Sequence, residues 1–146
     1  MKTYLLMAVL ILSLTACEYH EMAEVEIQGT KYTFNEDQVT AYYQTIGSQT
    51  SSIVIVDDGT TALTFTVKSN IKGLYTCDNG AGAVATIYIH YDGENFSTQY
   101  SGSSGSIDLV STGGNLIEGI FSGTLKNIDN TYTITVTNGK FSGRAS

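Results

Sequence analysis

The chain has 146 residues, and fourteen acidic against seven basic side chains give it a formal net charge of −7. Because nucleic-acid binding requires clustered Lys and Arg, this balance argues against a nucleic-acid partner. Charged residues make up only 14% of the chain and apolar residues 42%, which excludes a disordered, highly charged protein. Glycine, serine and threonine supply a third of the chain and proline and tryptophan are absent, a composition typical of short strands and tight turns.

The first sixteen residues have the features of a signal peptide. Lys2 precedes an apolar run over residues 4–14, and the small residues Thr15 and Ala16 lead to Cys17. The run is shorter than the roughly 20 apolar residues that a membrane-spanning helix needs, and it fits the apolar region of a secretion signal. We therefore expect residues 1–16 to be a removable targeting segment.

The four residues Leu14-Thr15-Ala16-Cys17 resemble the lipobox of bacterial lipoproteins. This resemblance implies a diacylglycerol on the Cys17 sulfur, cleavage between Ala16 and Cys17, and acylation of the new amino group. Several acyl chains anchor a protein stably, because each buried methylene adds about 0.8 kcal/mol. We therefore expect a protein attached to the outer membrane through the lipid on Cys17.

Acidic residues follow the expected anchor at Glu18, Glu21, Glu24 and Glu26. One interpretation is a solvated tether, which we assign to residues 17–23. The other is a sorting signal, because acids just after the lipidated cysteine resemble surface-export signals of Bacteroidota-type lipoproteins. We favour display on the cell surface over the periplasmic face.

From residue 24 to residue 146 the apolar residues alternate with polar ones, which predicts one β-domain. The first strands are expected around a turn at Gly29, and residues 52–56 are expected to pair with residues 62–68 across Asp57-Asp58-Gly59. Residues 35–46 also show helical spacing, but their β-branched and aromatic content favours a strand.

Residues 72–83 are rich in Gly and Asn and predict the longest loop. Strands are expected at 84–91, at 96–100 after a turn at Asp92-Gly93, and at 107–110, 116–125 and 132–136. Asn138-Gly139 predicts a turn into a short last strand at 140–141. Gly119 and Gly123 indicate a bulge, a bend or a close backbone approach within residues 116–125.

About ten short strands at this spacing predict an all-β fold, a single antiparallel β-sandwich, with a lipocalin-like β-barrel as the alternative.

The C-terminal segment from residue 104 is similar to the end of a family of small Bacteroidota-type lipoproteins with an uncharacterised domain. The recurring elements are a G-S-I-x-[IL] strand, an I-x-G-x-F-[ST] strand and an I-T-x-T-[ND]-G-[KE]-F ending. The matching residues are Gly105, Ser106, Ile107, Leu109, Ile117, Gly119, Phe121, Ser122, Ile134, Thr135, Thr137, Asn138, Gly139 and Phe141. The resemblance implies an all-β domain in the cell envelope and carries no activity with it.

The sequence offers little for catalysis. His20 falls in the expected tether and His90 on the outward side of a strand, and no HExxH, CxxC or Gly-x-Ser-x-Gly motif occurs. We expect a buried rather than reactive Cys77. The turn residues Asp57, Asp58, Asp92 and Glu94 carry oxygens suited to calcium, but Asp favours such turns for conformational reasons. We predict no enzyme, no metal site and no cofactor.

Ten tyrosines are the remaining feature, and Tyr88, Tyr91 and Tyr100 are the candidate ligand-binding residues. Their rings and hydroxyls suit a glycan or protein partner, although tyrosine is also simply a good strand residue. The leading hypothesis is a non-catalytic, lipid-anchored binding or accessory domain. The alternatives are a lipocalin-like carrier of a small ligand and a small hydrolase.

Overall fold

The computed structural model describes residues 22–80 and 82–146, which form eleven β-strands and one turn of 3-10 helix at Glu36–Gln38. The expected signal peptide, Cys17 and most of the expected tether lie outside the described residues. The strands are β1 Met22–Ile27, β2 Thr30–Phe34, β3 Val39–Ile46, β4 Gln49–Asp57, β5 Ala62–Val67, β6 Gly73–Cys77, β7 Ala85–Tyr91, β8 Glu94–Ser97, β9 Ser104–Ser111, β10 Leu116–Asn127 and β11 Thr133–Arg144.

The eleven strands pair antiparallel in one sheet, in the order β2-β1-β11-β10-β8-β7-β5-β4-β3. Strand β9 also pairs with β10, along residues 118–124, and β6 pairs with β9. The sheet curls into a half-barrel, and the predicted antiparallel all-β fold is confirmed. Within the described residues no helix is long and apolar enough to cross a membrane.

The curl brings edge strand β3 against the end of β11. Ala41 of β3 forms a parallel bridge with Ala145, and the Ser146 amide donates a hydrogen bond to the Ala41 carbonyl at 3.4 Å. One face of the sheet thereby surrounds a single hydrophobic core.

Alternation along the strands fills this core. On β5, for example, Leu63, Phe65 and Val67 are each 1% exposed, while the threonines between them are half-buried. The Phe65 ring packs against Phe121 and Phe141 with centroid distances of 4.2 and 4.8 Å. Removing these side chains from water is the main stabilising term of such a sheet.

Several local predictions are confirmed. The β4–β5 hairpin joins the predicted segments, with Ser52 opposite Val67. The strand favoured over residues 35–46 is confirmed for residues 39–46, which pair with β4, whereas Glu36–Gln38 form a turn of 3-10 helix. The predicted turn at Gly29 is also present, with Gln28 and Gly29 both at positive φ in a two-residue hairpin connection.

The predicted loop at residues 72–83 is wrong in part, because it contains β6. Tyr75 of β6 pairs with Ile107 of β9 and packs on the core, and Cys77 is buried. This strand has only five residues and lies in a segment rich in glycine, so its local pattern is weak. Pairing with a distant strand stabilises it.

The predicted turn at Asn138-Gly139 is also wrong, because β11 continues through it. Four residues of β11 (Val136 to Gly139) lie opposite three residues of β10 (Phe121 to Gly123). The same offset appears against β1, where Thr137 to Lys140 lie opposite Glu24 to Glu26. The site is therefore a β-bulge, and Asn138 with φ 50° supplies the left-handed conformation that a turn also requires. Local sequence does not distinguish the two, because the partners on both edges of β11 decide that the strand continues.

Two strand boundaries also differ from prediction. Strand β8 ends at Ser97 instead of continuing to residue 100, and β9 begins at Ser104, earlier than predicted. Residues 98–103 form the connection between them. The side-chain amide of Asn79 faces three carbonyls of this connection, those of Thr98, Tyr100 and Ser103. With its nitrogen toward them it donates hydrogen bonds of 2.8 to 3.2 Å, which fix the conformation of the connection.

Candidate ligand-binding site

At one end of the half-barrel, tyrosines and carboxylates lie next to apolar core residues. Phe34, Ile89, Phe96 and Ile134 are buried core residues near this end. Two residues further toward the end, the rows of β2, β7 and β8 continue as Tyr32, Tyr91 and Glu94. Tyr132 is 60% exposed and lies just ahead of β11, two residues before Ile134. We call Tyr32, Tyr91, Glu94 and Tyr132, together with Asp92, the tyrosine end.

Two open grooves meet at the tyrosine end. A groove of about 390 Å³ is lined by residues that include Tyr91, Glu94 and Tyr132. A second, of about 430 Å³, is lined by residues that include Tyr32, Tyr91 and the turn residue Thr60. Tyr91 and Asp92 line both grooves, so a ligand in either groove would lie against Tyr91. Both volumes fall in the range of small-molecule sites.

Tyr32 and Tyr91 hold each other in place. Their rings meet edge to face with a centroid distance of 5.9 Å, and the Tyr32 hydroxyl donates a hydrogen bond to the Tyr91 hydroxyl at 3.3 Å. This hydrogen bond, with partial burial, raises the pKa of Tyr32 above its ordinary value. The Tyr32 phenol therefore stays neutral at physiological pH. Both tyrosines line the second groove.

The hairpin turn between β7 and β8 supplies the charges of this end. Asp92 and Gly93 have φ of 51° and 78°, as in the two-residue turns that connect twisted antiparallel strands. Tyr91 pairs directly with Glu94 across this turn. The ionised side chains that line the two grooves are the carboxylates of Asp92 and Glu94.

The three predicted tyrosines do not form one surface. Tyr91 lies on the inward-facing side of β7, whereas Tyr88 is 37% exposed on the outer side. Burial raises the pKa of Tyr88, and the nearby Tyr100 adds a smaller effect, so these two lie close together. Ligand binding by Tyr88 and Tyr100 stays a prediction, since no groove described above includes them.

His90 lies on the outer side of β7, where its Nδ1 is 2.7 Å from the Asn95 side-chain oxygen on β8. Cys77 is 3% exposed, and its burial raises the pKa of the thiol to about 11, so the thiol stays protonated. Neither group is arranged as an activated nucleophile and base, which need mutual hydrogen-bond contact.

The aspartates of the β4–β5 turn stabilise its backbone conformation by accepting hydrogen bonds from backbone amides. The Asp58 carboxylate accepts hydrogen bonds from the amides of Thr60 and Thr61 at 2.8 and 2.7 Å, and these bonds lower its pKa. Asp57 likewise accepts from the Gly59 amide at 2.8 Å. Across residues 22–80 and 82–146, no three His, Cys, Asp or Glu side chains lie where they would hold a metal ion.

A third groove, of about 540 Å³, lies on the outer face of β6, β9, β10, β11 and β1. Successive strands there place Leu74, Asp108, Ile120, Lys140 and Glu24 opposite one another. Glu24 lies 3.3 Å from Lys31 and 3.1 Å from Lys140, and these lysines lower its pKa. Two of the four acids expected to follow the anchor, Glu24 and Glu26, thus belong to strand β1.

Sequence reasoning missed Tyr32, Tyr132 and the role of Glu94 at the tyrosine end. A usable signal exists, because each lies two residues from a buried residue: Phe34, Ile134 and Phe96. Alternation thus predicts the facing of Tyr32 and Glu94 in their strands. It does not predict that their strands end at the same side of the half-barrel.

No family model matches this chain, and comparisons with curated proteins and with solved structures found no significant match.

Proposed function

We propose that this chain is a lipid-anchored, non-catalytic protein of the cell envelope that binds a protein or glycan partner through its tyrosine end. The observation that carries the binding role is the position of Tyr32, Tyr91, Glu94 and Tyr132 beside two open grooves, next to buried apolar residues of the core. Rigid aromatic rings with polar tips are suited to recognition at low entropic cost.

The anchor rests on the lipobox resemblance at Leu14-Thr15-Ala16-Cys17. Metabolic labelling with a palmitate analogue tests it, because wild type should carry label and Cys17→Ala should not. Treating intact cells with a membrane-impermeant amine label then tests surface display. Label on intact cells supports the surface, whereas protection until lysis contradicts it.

Packing favours a surface-binding role over an enclosed carrier. The inward-facing side chains Phe65, Phe121 and Phe141 stack on one another and are at most 4% exposed. Lipocalin-like carriers instead leave space for a ligand among such side chains. Non-catalytic binding is favoured over hydrolysis because His90 contacts an amide and Cys77 is buried.

Site-specific photocrosslinking in cells tests the binding role. A photoreactive phenylalanine replaces Tyr132, which is 60% exposed at the tyrosine end. The control carries it in place of Ile46, which is 73% exposed in β3. We expect a discrete crosslinked product from position 132 and none from position 46. Equal product patterns at both positions would contradict a binding role of the tyrosine end.

A further inference from the structure

We propose that the group bound at the tyrosine end is a positively charged organic group of the ammonium or guanidinium type, held between the Tyr91 ring and the carboxylates of Asp92 and Glu94. This inference rests on the proposed binding role of the tyrosine end and adds the chemical class that it selects.

Charge is the first argument. The ionised side chains that line the two grooves are carboxylates, so the local potential attracts cations and repels anions. Two of the basic side chains, Lys31 and Lys140, both pair with Glu24 on the outer face. A cation entering the grooves therefore meets two carboxylates without competition from these lysines.

Aromatic geometry is the second argument. A cation is attracted to the face of an aromatic ring, and the attraction grows when water is excluded. The edge-to-face contact with Tyr32 and the hydrogen bond between the hydroxyls fix the orientation of the Tyr91 ring. A ring held between two grooves is a preformed platform, which lowers the entropic cost of binding.

The position of Glu94 is the third argument. It occupies the inward-facing row of β8 directly beyond the buried Phe96, and it is paired across the hairpin with Tyr91. Glu94 is exposed, so its carboxylate is accessible to a ligand at the end of this row. Its pairing with Tyr91 places this negative charge beside an aromatic ring.

The experiment compares choline with its uncharged isostere 3,3-dimethylbutan-1-ol on the detergent-solubilised full-length protein. Tyrosine ring signals are followed by NMR during each titration. We expect choline to shift the Tyr91 and Tyr132 signals, with about tenfold higher affinity than the alcohol. The affinity should fall as salt is added, because exposed charges are screened.

Two double variants separate local from general charge effects. Asp92→Asn with Glu94→Gln removes the two carboxylates, and asparagine tolerates the positive φ of position 92. Asp108→Asn with Glu118→Gln removes two charges from β9 and β10 outside the tyrosine end. We expect the first pair to abolish the preference for choline and the second to leave it unchanged.

Each outcome decides between the proposals. Equal affinity for choline and the alcohol at Tyr91 would overturn the cation inference while leaving the tyrosine end as a binding site. Absence of shifts with either probe would overturn the inference, and the crosslinking experiment then judges the binding role separately. Where choline binds, agmatine and a capped Gly-Arg-Gly peptide distinguish a free amine from a basic side chain of a partner.

Discussion

Phe121 packs in the core at 4% exposure, with its ring centroid 4.2 Å from that of Phe65. Replacing Phe121 with alanine removes this contact and leaves a cavity, so we expect a loss of about 3–5 kcal/mol in the free energy of unfolding. Urea denaturation measures the loss. Ile46→Ala is the control, because Ile46 is 73% exposed and its truncation should cost less than about 0.5 kcal/mol. A loss below about 1 kcal/mol for Phe121→Ala would contradict its core position.

Gly139 lies directly opposite Phe121 on the neighbouring strand. A Cβ added at Gly139 would lie 2.5 Å from carbons of the Phe121 ring, so the ring covers the glycine. We expect Gly139→Ala to destabilise the protein by about 1–3 kcal/mol, as overpacking of a core does. Gly113→Ala is the matched control, since a Cβ there meets nothing within 4 Å. Equal unfolding midpoints for the two variants would show that the ring moves aside freely.

Because of Cys77, we expect the free energy of unfolding to fall at alkaline pH. Burial raises the pKa of the folded thiol to about 11, above the roughly 8.5 of an unfolded chain. Its contribution to stability is therefore fully present below about pH 8.5 and is lost as pH rises through 11. We expect wild type to lose more stability than Cys77→Ala between these pH values, measured by denaturation at each pH. Parallel curves for the two proteins would contradict the raised pKa.

At the scale of a single element, the bulge in β11 depends on the backbone conformation of Asn138. Its φ is 50° and its side chain is exposed, so the residue is needed for conformation rather than packing. A β-branched residue strongly disfavours positive φ. We expect Asn138→Val to cost about 1–3 kcal/mol and Asn138→Gly to be nearly neutral. Thermal unfolding compares the two variants, and a stable Asn138→Val protein would mean that β11 can shift its register.

Strand β11 also illustrates what local sequence reveals about an element. Alternation of Ile134 and Val136 predicts a strand and its facing, and the Asn-Gly pair predicts a left-handed residue. Both inferences hold, yet the strand continues through Asn138 instead of turning, because β1 and β10 pair with β11 on both sides of the bulge. A turn and a bulge share the same local conformation, so only the partner strands separate them.

For the whole molecule, we expect the described strands to unfold as one cooperative unit. Strand β11 joins the β1–β2 hairpin to β10, and the inward-facing residues of nearly all strands belong to one core cluster. We expect far-ultraviolet circular dichroism and tyrosine near-ultraviolet signals to report one coincident unfolding transition. Separate midpoints would show that part of the sheet, such as the β6–β9 branch, unfolds on its own.

The same long-range organisation decides where the candidate site lies. In the sequence, Tyr91 lies about sixty residues after Tyr32, and Tyr132 lies one hundred residues after Tyr32. The strand order brings the three residues to one end of the half-barrel. Predicting this requires the pairing of β1 with β11 as well as the curl of the sheet. Neither follows from alternation, because many strand orders satisfy the same pattern.

Alternation and turn residues predict the all-β class, the facing of most strands and several hairpins, including those at Gly29 and Asp92-Gly93. These features follow from side-chain period and turn conformation, which act within a few residues. The folded structure is needed to show that residues 73–77 form a strand, that Asn138 lies in a bulge, and that Tyr32, Tyr91, Glu94 and Tyr132 meet at one end. These depend on contacts between distant strands, whose choice is set by packing the whole core rather than by any local segment.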